Sequence, residues 1–257
     1  MTFTIFAEIG TVALMFSVAL AVFAGFVKGT VGFALPMIMV SGLGSFLSPE
    51  LTLAGLIISA VFTNVWQALR TGVANVVLSV RAHWRYLTIL FIFLVGAAQL
   101  FPHLPEYVLF LCLGVPVVFF ASLQLLGWQL QIGQSNRRTA ELGVGSLAGV
   151  LGGLSGIWGP PTVIYLTALN LPKDEQMRVQ GIIYGFGAFV LLVAHLRSGI
   201  LNASTIPFSA FLLVPSLIGL AIGFAVQERM SQDAFRKATL VVLIIGGLNL
   251  IRRGLIG

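Results

Sequence analysis

The chain has 257 residues, 58% of them apolar and only 9% charged, against roughly 25% charged in an ordinary soluble domain. That composition excludes a water-soluble globular fold and defines an all-α polytopic membrane protein whose main solvent is the lipid bilayer. The formal charge of +6 does not indicate nucleic acid, because the basic residues stand between apolar runs, where they set orientation.

The first apolar run covers residues 4–27 and meets Lys28. The chain then breaks and resumes as 33–47, which is short for a full crossing. Residues 51–69 form a clear span closed by Arg70-Thr71-Gly72. A polar connection with Arg81, His83 and Arg85 is expected next, with Trp84 and Tyr86 as interfacial anchors. Spans at 86–101 and 107–127 follow, separated by a turn at Pro102 and Pro105. Cys112 is the only cysteine, so an intramolecular disulfide is excluded; it reads as packing. The one linker-like stretch is 128–140, with Gln131, Gln134, Asn136, Arg137 and Arg138. The expected division is therefore 1–130, a connection at 131–140, and 141–257.

The second half opens with an apolar run at 142–157, breaks, and resumes briefly to Leu169. Spans at 179–196, 206–226 and about 234–251 complete it. No cleavable leader is evident, and the first run reads as a span.

A duplication organises these runs. Residues 24–36 read Ala-Gly-Phe-Val-Lys-Gly-Thr-Val-Gly-Phe-Ala-Leu-Pro, and residues 148–161 read Ala-Gly-Val-Leu-Gly-Gly-Leu-Ser-Gly-Ile-Trp-Gly-Pro-Pro. Aligned without a gap, the Ala-Gly pair, two further glycines and a proline coincide. A second echo, Leu69-Arg70-Thr71-Gly72 against Leu196-Arg197-Ser198-Gly199, follows in the same order. An odd number of segments per half makes the two copies enter from opposite sides, giving two inverted-topology repeats of about five segments each. Helices broken at such Gly/Pro points, or re-entrant there, are the usual place for a transporter site. Positive-inside counting puts Arg70, Arg81, Arg85, Arg137, Arg138, Lys173, Arg178, Arg229, Arg236 and Lys237 on the cytoplasmic side. Arg197, Arg252 and Arg253 fall on the other side.

A helix that restarts inside the bilayer offers unpaired N–H groups and a partial positive charge, which together make an anion site. Gly29, Gly32, Gly156 and Gly159 flank the two breaks and are expected to stop the helices there. Pro36 and Pro160 suit the restarting first turns. Lys28 at mid-membrane needs a counter-charge, and no acidic residue is placed to supply it. Either an anionic ligand does so, or the ammonium snorkels to a headgroup. Trp158, Thr162 and Tyr165 flank the second break. Asn64, Gln67 and Arg70 share one face of their helix, and Tyr184 lies at similar depth on a later one. These are the candidate substrate-binding residues, with helix–helix hydrogen bonding as the alternative for each polar one. Gly145, Gly149 and Gly153, Gly181 and Gly185, and Gly219 and Gly223 have the spacing of close helix packing instead. No His/Glu metal-ligand spacing and no paired carboxylates are found inside the membrane, so neither a metal, a cofactor nor an enzyme is indicated.

The stretch 24–36, its echo at 147–161, and Leu169-Asn170-Leu171-Pro172 resemble the TauE/SafE sulfite exporter family over essentially the whole chain. Lys28 and Thr30 here occupy part of a run that is denser in glycine in that family. The resemblance implies a multi-pass inner-membrane protein that carries small sulfur-containing anions: sulfite, sulfoacetate or other organosulfonates. A coupling ion, H+ or Na+, would accompany a secondary transporter. An anion channel, or a membrane assembly partner without substrate, are the rival readings.

Overall fold

The computed structural model describes residues 4–98, 106–127, 131–155 and 159–256, and every regular element among them is helical. The expected turn at Pro102 and Pro105 lies outside these residues. In order the helices are α1 (Thr4–Ile9), α2 (Thr11–Val31), α3 (Leu35–Leu43), α4 (Pro49–Leu69), α5 (Val73–Ala98) and α6 (Glu106–Leu125). After a short 3-10 turn at Gln134–Asn136 come α7 (Arg137–Ser155), α8 (Gly159–Ala168), α9 (Lys173–Arg197), α10 (Ile206–Arg229) and α11 (Gln232–Ile256). Among the described residues six helices, α2, α4, α5, α9, α10 and α11, are long and apolar enough to cross a membrane. Large apolar side chains such as Val12, Met15, Phe16 and Phe23 on α2 are exposed, as expected where lipid is the solvent.

Several boundaries differ from the sequence expectation for local reasons. Gly10, at φ 78°, parts α1 from α2 inside what reads as one apolar run. Arg81, His83 and Arg85 do not lie in a connection but inside α5, which starts at Val73 directly after Gly72. Tyr86 is not an interfacial anchor: it is fully buried. The linker expected at 128–140 is shorter than its composition suggests, since α7 already begins at Arg137.

The helices pack into two compact units, Met1–Val73 with Met177–Met230, and Ala74–Gln176 with Ser231–Gly257. Each unit takes helices from both of the expected repeats. In the first unit α2 lies along α10 and α4 along α10, with α3 tucked against α2 and α4. At nine residues α3 spans about 14 Å, under half of a bilayer core. Leu35, Met39 and Leu43, one turn apart on α3, are fully buried. In the second unit α6 packs on α11 and α7 on α8.

The glycines with four-residue spacing are the contact points. A Cβ on Gly219 would meet Val22 O at 2.0 Å, and one on Gly223 would meet Phe26 O at 2.3 Å. From the other side, Cβ atoms on Gly25 and Gly29 would meet Ser216 O at 2.2 Å and Leu220 O at 2.4 Å. These are backbone neighbours that cannot rotate away, so α2 and α10 approach as only glycine permits. Gly29 therefore does not break the chain, contrary to expectation; it is a packing residue within α2. Gly219→Val is expected to part α2 from α10 and abolish recovery of monodisperse protein. Gly96→Ala, where an added Cβ meets nothing within 4 Å, should behave as wild type in size-exclusion and thermal-unfolding runs.

The echoed stretches place their glycines alike at two points. A Cβ on Gly149 would meet Leu90 O at 2.5 Å and Leu94 N at 3.0 Å on α5, as one on Gly25 meets Ser216 O and, at 3.0 Å, Leu220 N on α10. Gly72 and Gly199 both follow a helix end at positive φ, 92° and 79°, a left-handed conformation that terminates helices at little cost only for glycine.

Candidate functional site

The first break is built by local chemistry. Gly32 ends α2 in the left-handed conformation, φ 90°, with its N–H on Lys28 O. Ala34 is also left-handed, φ 78°, which is uncommon for a residue with a Cβ and marks strain held in place by its surroundings. α3 then restarts with Pro36 in its first turn. Unlike α4, whose Ser48 side chain accepts from Leu51 N, α3 has no side-chain cap. Alanine at that position offers no side-chain oxygen to Leu35 or Met37, Pro36 has no N–H, and Ile38 N donates to Ala34 O at 3.0 Å.

Three side chains close around this break. Lys28, 1% exposed, points inward and donates from Nζ to Asn64 Oδ1. It does not snorkel to a surface, and no carboxylate pairs with it among the described residues. Gln67 Nε2 donates to Gly32 O at 3.0 Å and to Met177 O at 2.8 Å. Gln180, its amide turned so that nitrogen faces the carbonyls, donates to Val31 O and Gly32 O, each at 3.3 Å. The glycines of α9 let it approach α4: Cβ atoms on Gly181 and Gly185 would sit 2.7 Å from Ala68 N and 3.5 Å from Asn64 Cβ. Tyr184, between them in sequence, is buried.

The structure brings Lys28, Gly32, Asn64 and Gln67 together, while Pro36 is exposed at the start of α3. Arg70 departs from the group. It donates to Gln227 Oε1 at 3.0 Å, pairs with Glu228 at 2.5 Å and lies over the Phe224 ring at 4.3 Å, tying α4 to α10. Gln180 is the member that the candidate set omitted; its depth was legible, but its aim at Gly32 depends on how α9 crosses α4.

At the second break Gly156 and Trp158 lie outside the described residues. α7 ends at Ser155 and α8 begins at Gly159, with Pro160 and Thr162 buried. Thr162 and Tyr165 belong to a polar cluster within the second unit. Tyr86 Oη and Thr162 Oγ1 are 2.9 Å apart, and the Tyr86 and Tyr165 rings stack at 4.4 Å. Tyr165 Oη reaches Glu141 Oε1 at 3.5 Å. Glu141, 1% exposed, takes Arg85 Nε on Oε2 at 2.8 Å and Arg137 Nε on Oε1 at 2.9 Å. Arg137 also contacts Ala82 O and His83 Nδ1, and His83 Nε2 lies 3.2 Å from Glu175 Oε1. Sequence reasoning missed this network; the i,i+4 pair Arg137 and Glu141 was its one visible signal.

Six apolar helices of spanning length among the described residues define a multi-pass membrane protein. The chain belongs to the family described as Sulfite exporter TauE/SafE, whose profile matches residues 17–250. Comparison with curated proteins and with solved structures returns no significant match. The family is one of transporters, not of enzymes.

Proposed function

We propose that the chain is a secondary transporter that moves small sulfur-containing anions, sulfite, sulfoacetate or other organosulfonates, across the inner membrane by alternating access. The observation that carries this reading is Lys28: a buried ammonium held by a neutral amide, one turn before the break after which α3 restarts without a side-chain cap. An anion at that point would complete both groups, taking the lysine charge and the free amides. The shared packing of Gly25 and Gly149, and the matching helix ends at Gly72 and Gly199, support a duplicated scaffold. H+ or Na+ would supply the driving gradient.

Purified protein in liposomes tests the function. Saturable uptake of labelled sulfite, accelerated by unlabelled sulfite inside, is the expected result. Conductance that does not saturate would make the chain a channel, and no flux at all would favour an assembly partner.

The inverted arrangement makes a separate forecast. Single cysteines at Thr71 and Ser198, both exposed, in a Cys112→Ser background should react with an impermeant thiol reagent from opposite faces of the membrane. Labelling of both from one face would sink the inverted repeat.

A further inference from the structure

Gln67 is 2% exposed, and its amide orientation is fixed because Nε2 gives its two protons to Gly32 O and Met177 O. The other end of the group, Oε1, is a buried acceptor with no donor among the described residues. A buried polar atom of this kind is costly unless something pairs with it. Gln180 cannot serve, since its nitrogen is turned to Val31 O and Gly32 O. Asn64, three residues earlier on the same face of α4, already accepts from Lys28. One turn of α4 therefore presents a held cation and, beside it, an unpaired acceptor, both against the break.

The charge count is equally specific. Lys28 brings one positive charge, and Arg70, the next cation along that face, is neutralised by Glu228. A dianion would bring two negative charges to one ammonium and lone pairs to the carbonyl oxygen of Gln67. A monoanion lacking an O–H or N–H would leave Oε1 unpaired.

We propose that the ligand of this site is a small monoanion bearing its own hydrogen-bond donor, whose charge Lys28 neutralises and whose donor Gln67 Oε1 accepts. This rests on the anion reading above and narrows it to the protonated form of a sulfur oxyanion, hydrogensulfite, or to a hydroxyl-bearing sulfonate. Both sources offer the same chemistry, one negative charge next to one O–H.

Two sulfonates of equal charge that differ by one hydroxyl, methanesulfonate and hydroxymethanesulfonate, provide the test. Calorimetric titration of the purified full chain should find hydroxymethanesulfonate tighter by about tenfold, the factor that goes with satisfying one buried acceptor. In Gln67→Met, which keeps length but has no acceptor, the ratio should fall to about one. Should that variant fail to fold, wild-type protein gives a second readout. Affinity for total sulfite should drop as pH rises through neutrality and hydrogensulfite gives way to the dianion. Methanesulfonate, which has no proton to lose, reports any change in the protein itself over the same range. Equal affinity for the two sulfonates in the wild type, or tighter binding of sulfite as the dianion accumulates, would overturn the proposal. Failure of every anion to bind would instead overturn the anion site on which it rests.

Discussion

Glu141→Gln is expected to destabilise the protein by about 2–3 kcal/mol. Each oxygen of the Glu141 carboxylate holds one guanidinium, Arg85 on Oε2 and Arg137 on Oε1, and the side chain is 1% exposed. Removing one partner of a buried ion pair leaves charge without compensation and typically costs 3–5 kcal/mol. Here the arginines are 39% and 22% exposed, so water recovers part of that loss and the lower figure applies. Arg85→Ala should cost less, because Glu141 keeps Arg137. Thermal unfolding of the purified variants, followed by loss of the monodisperse peak, ranks them directly. A Glu141→Gln protein as stable as wild type would mean that the network contributes geometry but no net stability.

That network also marks the limit of what was legible in the chain. The first break could be read because its parts are local: glycine adopts the left-handed ending at Gly32, and proline fits the first turn of α3 at Pro36. The apolar runs could be read because lipid imposes length and composition on each span separately. Gly29 could not, since a glycine stops a helix or lets another approach according to its partner, and here the partner is Gly223, far along the sequence. Arg81, His83 and Arg85 have the composition of a loop, yet they belong to α5, where Arg85 and His83 find acidic partners brought by other helices. Tyr86 beside Trp84 has the signature of an interfacial pair, but Tyr165 and Thr162 bury it. In each case the signal was ambiguous between a bilayer surface and a neighbouring helix, and only the tertiary partner decides. The compact units follow the same logic: the expected repeats run along the chain, whereas packing joins α2 to α10 and α6 to α11 across it.

Lys28→Gln is expected to lose ten- to a hundredfold in affinity for sulfur oxyanions while the protein still inserts and folds. The lysine is the positive charge held at the break, 1% exposed, and a charge-assisted hydrogen bond contributes about 1.5–3 kcal/mol, which converts to that range. Folding is protected by two offsetting effects. Glutamine retains an N–H donor for Asn64 Oδ1, the acceptor that Lys28 now serves, and an unpaired ammonium no longer has to be placed in the membrane. Lys28→Arg separates charge from shape. The guanidinium keeps the charge, but its planar fork needs more room than a compact ammonium, and Gly25 and Gly29 on the same helix are pressed to the backbone of α10. The arginine variant should therefore also bind poorly, and for a steric reason that leaves its salt dependence unlike that of the glutamine variant. Equilibrium binding of sulfite to wild type, Lys28→Gln and Lys28→Arg, each at two ionic strengths, decides the matter. Wild-type affinity in Lys28→Gln would remove the lysine from the site and leave Asn64 as its structural partner alone.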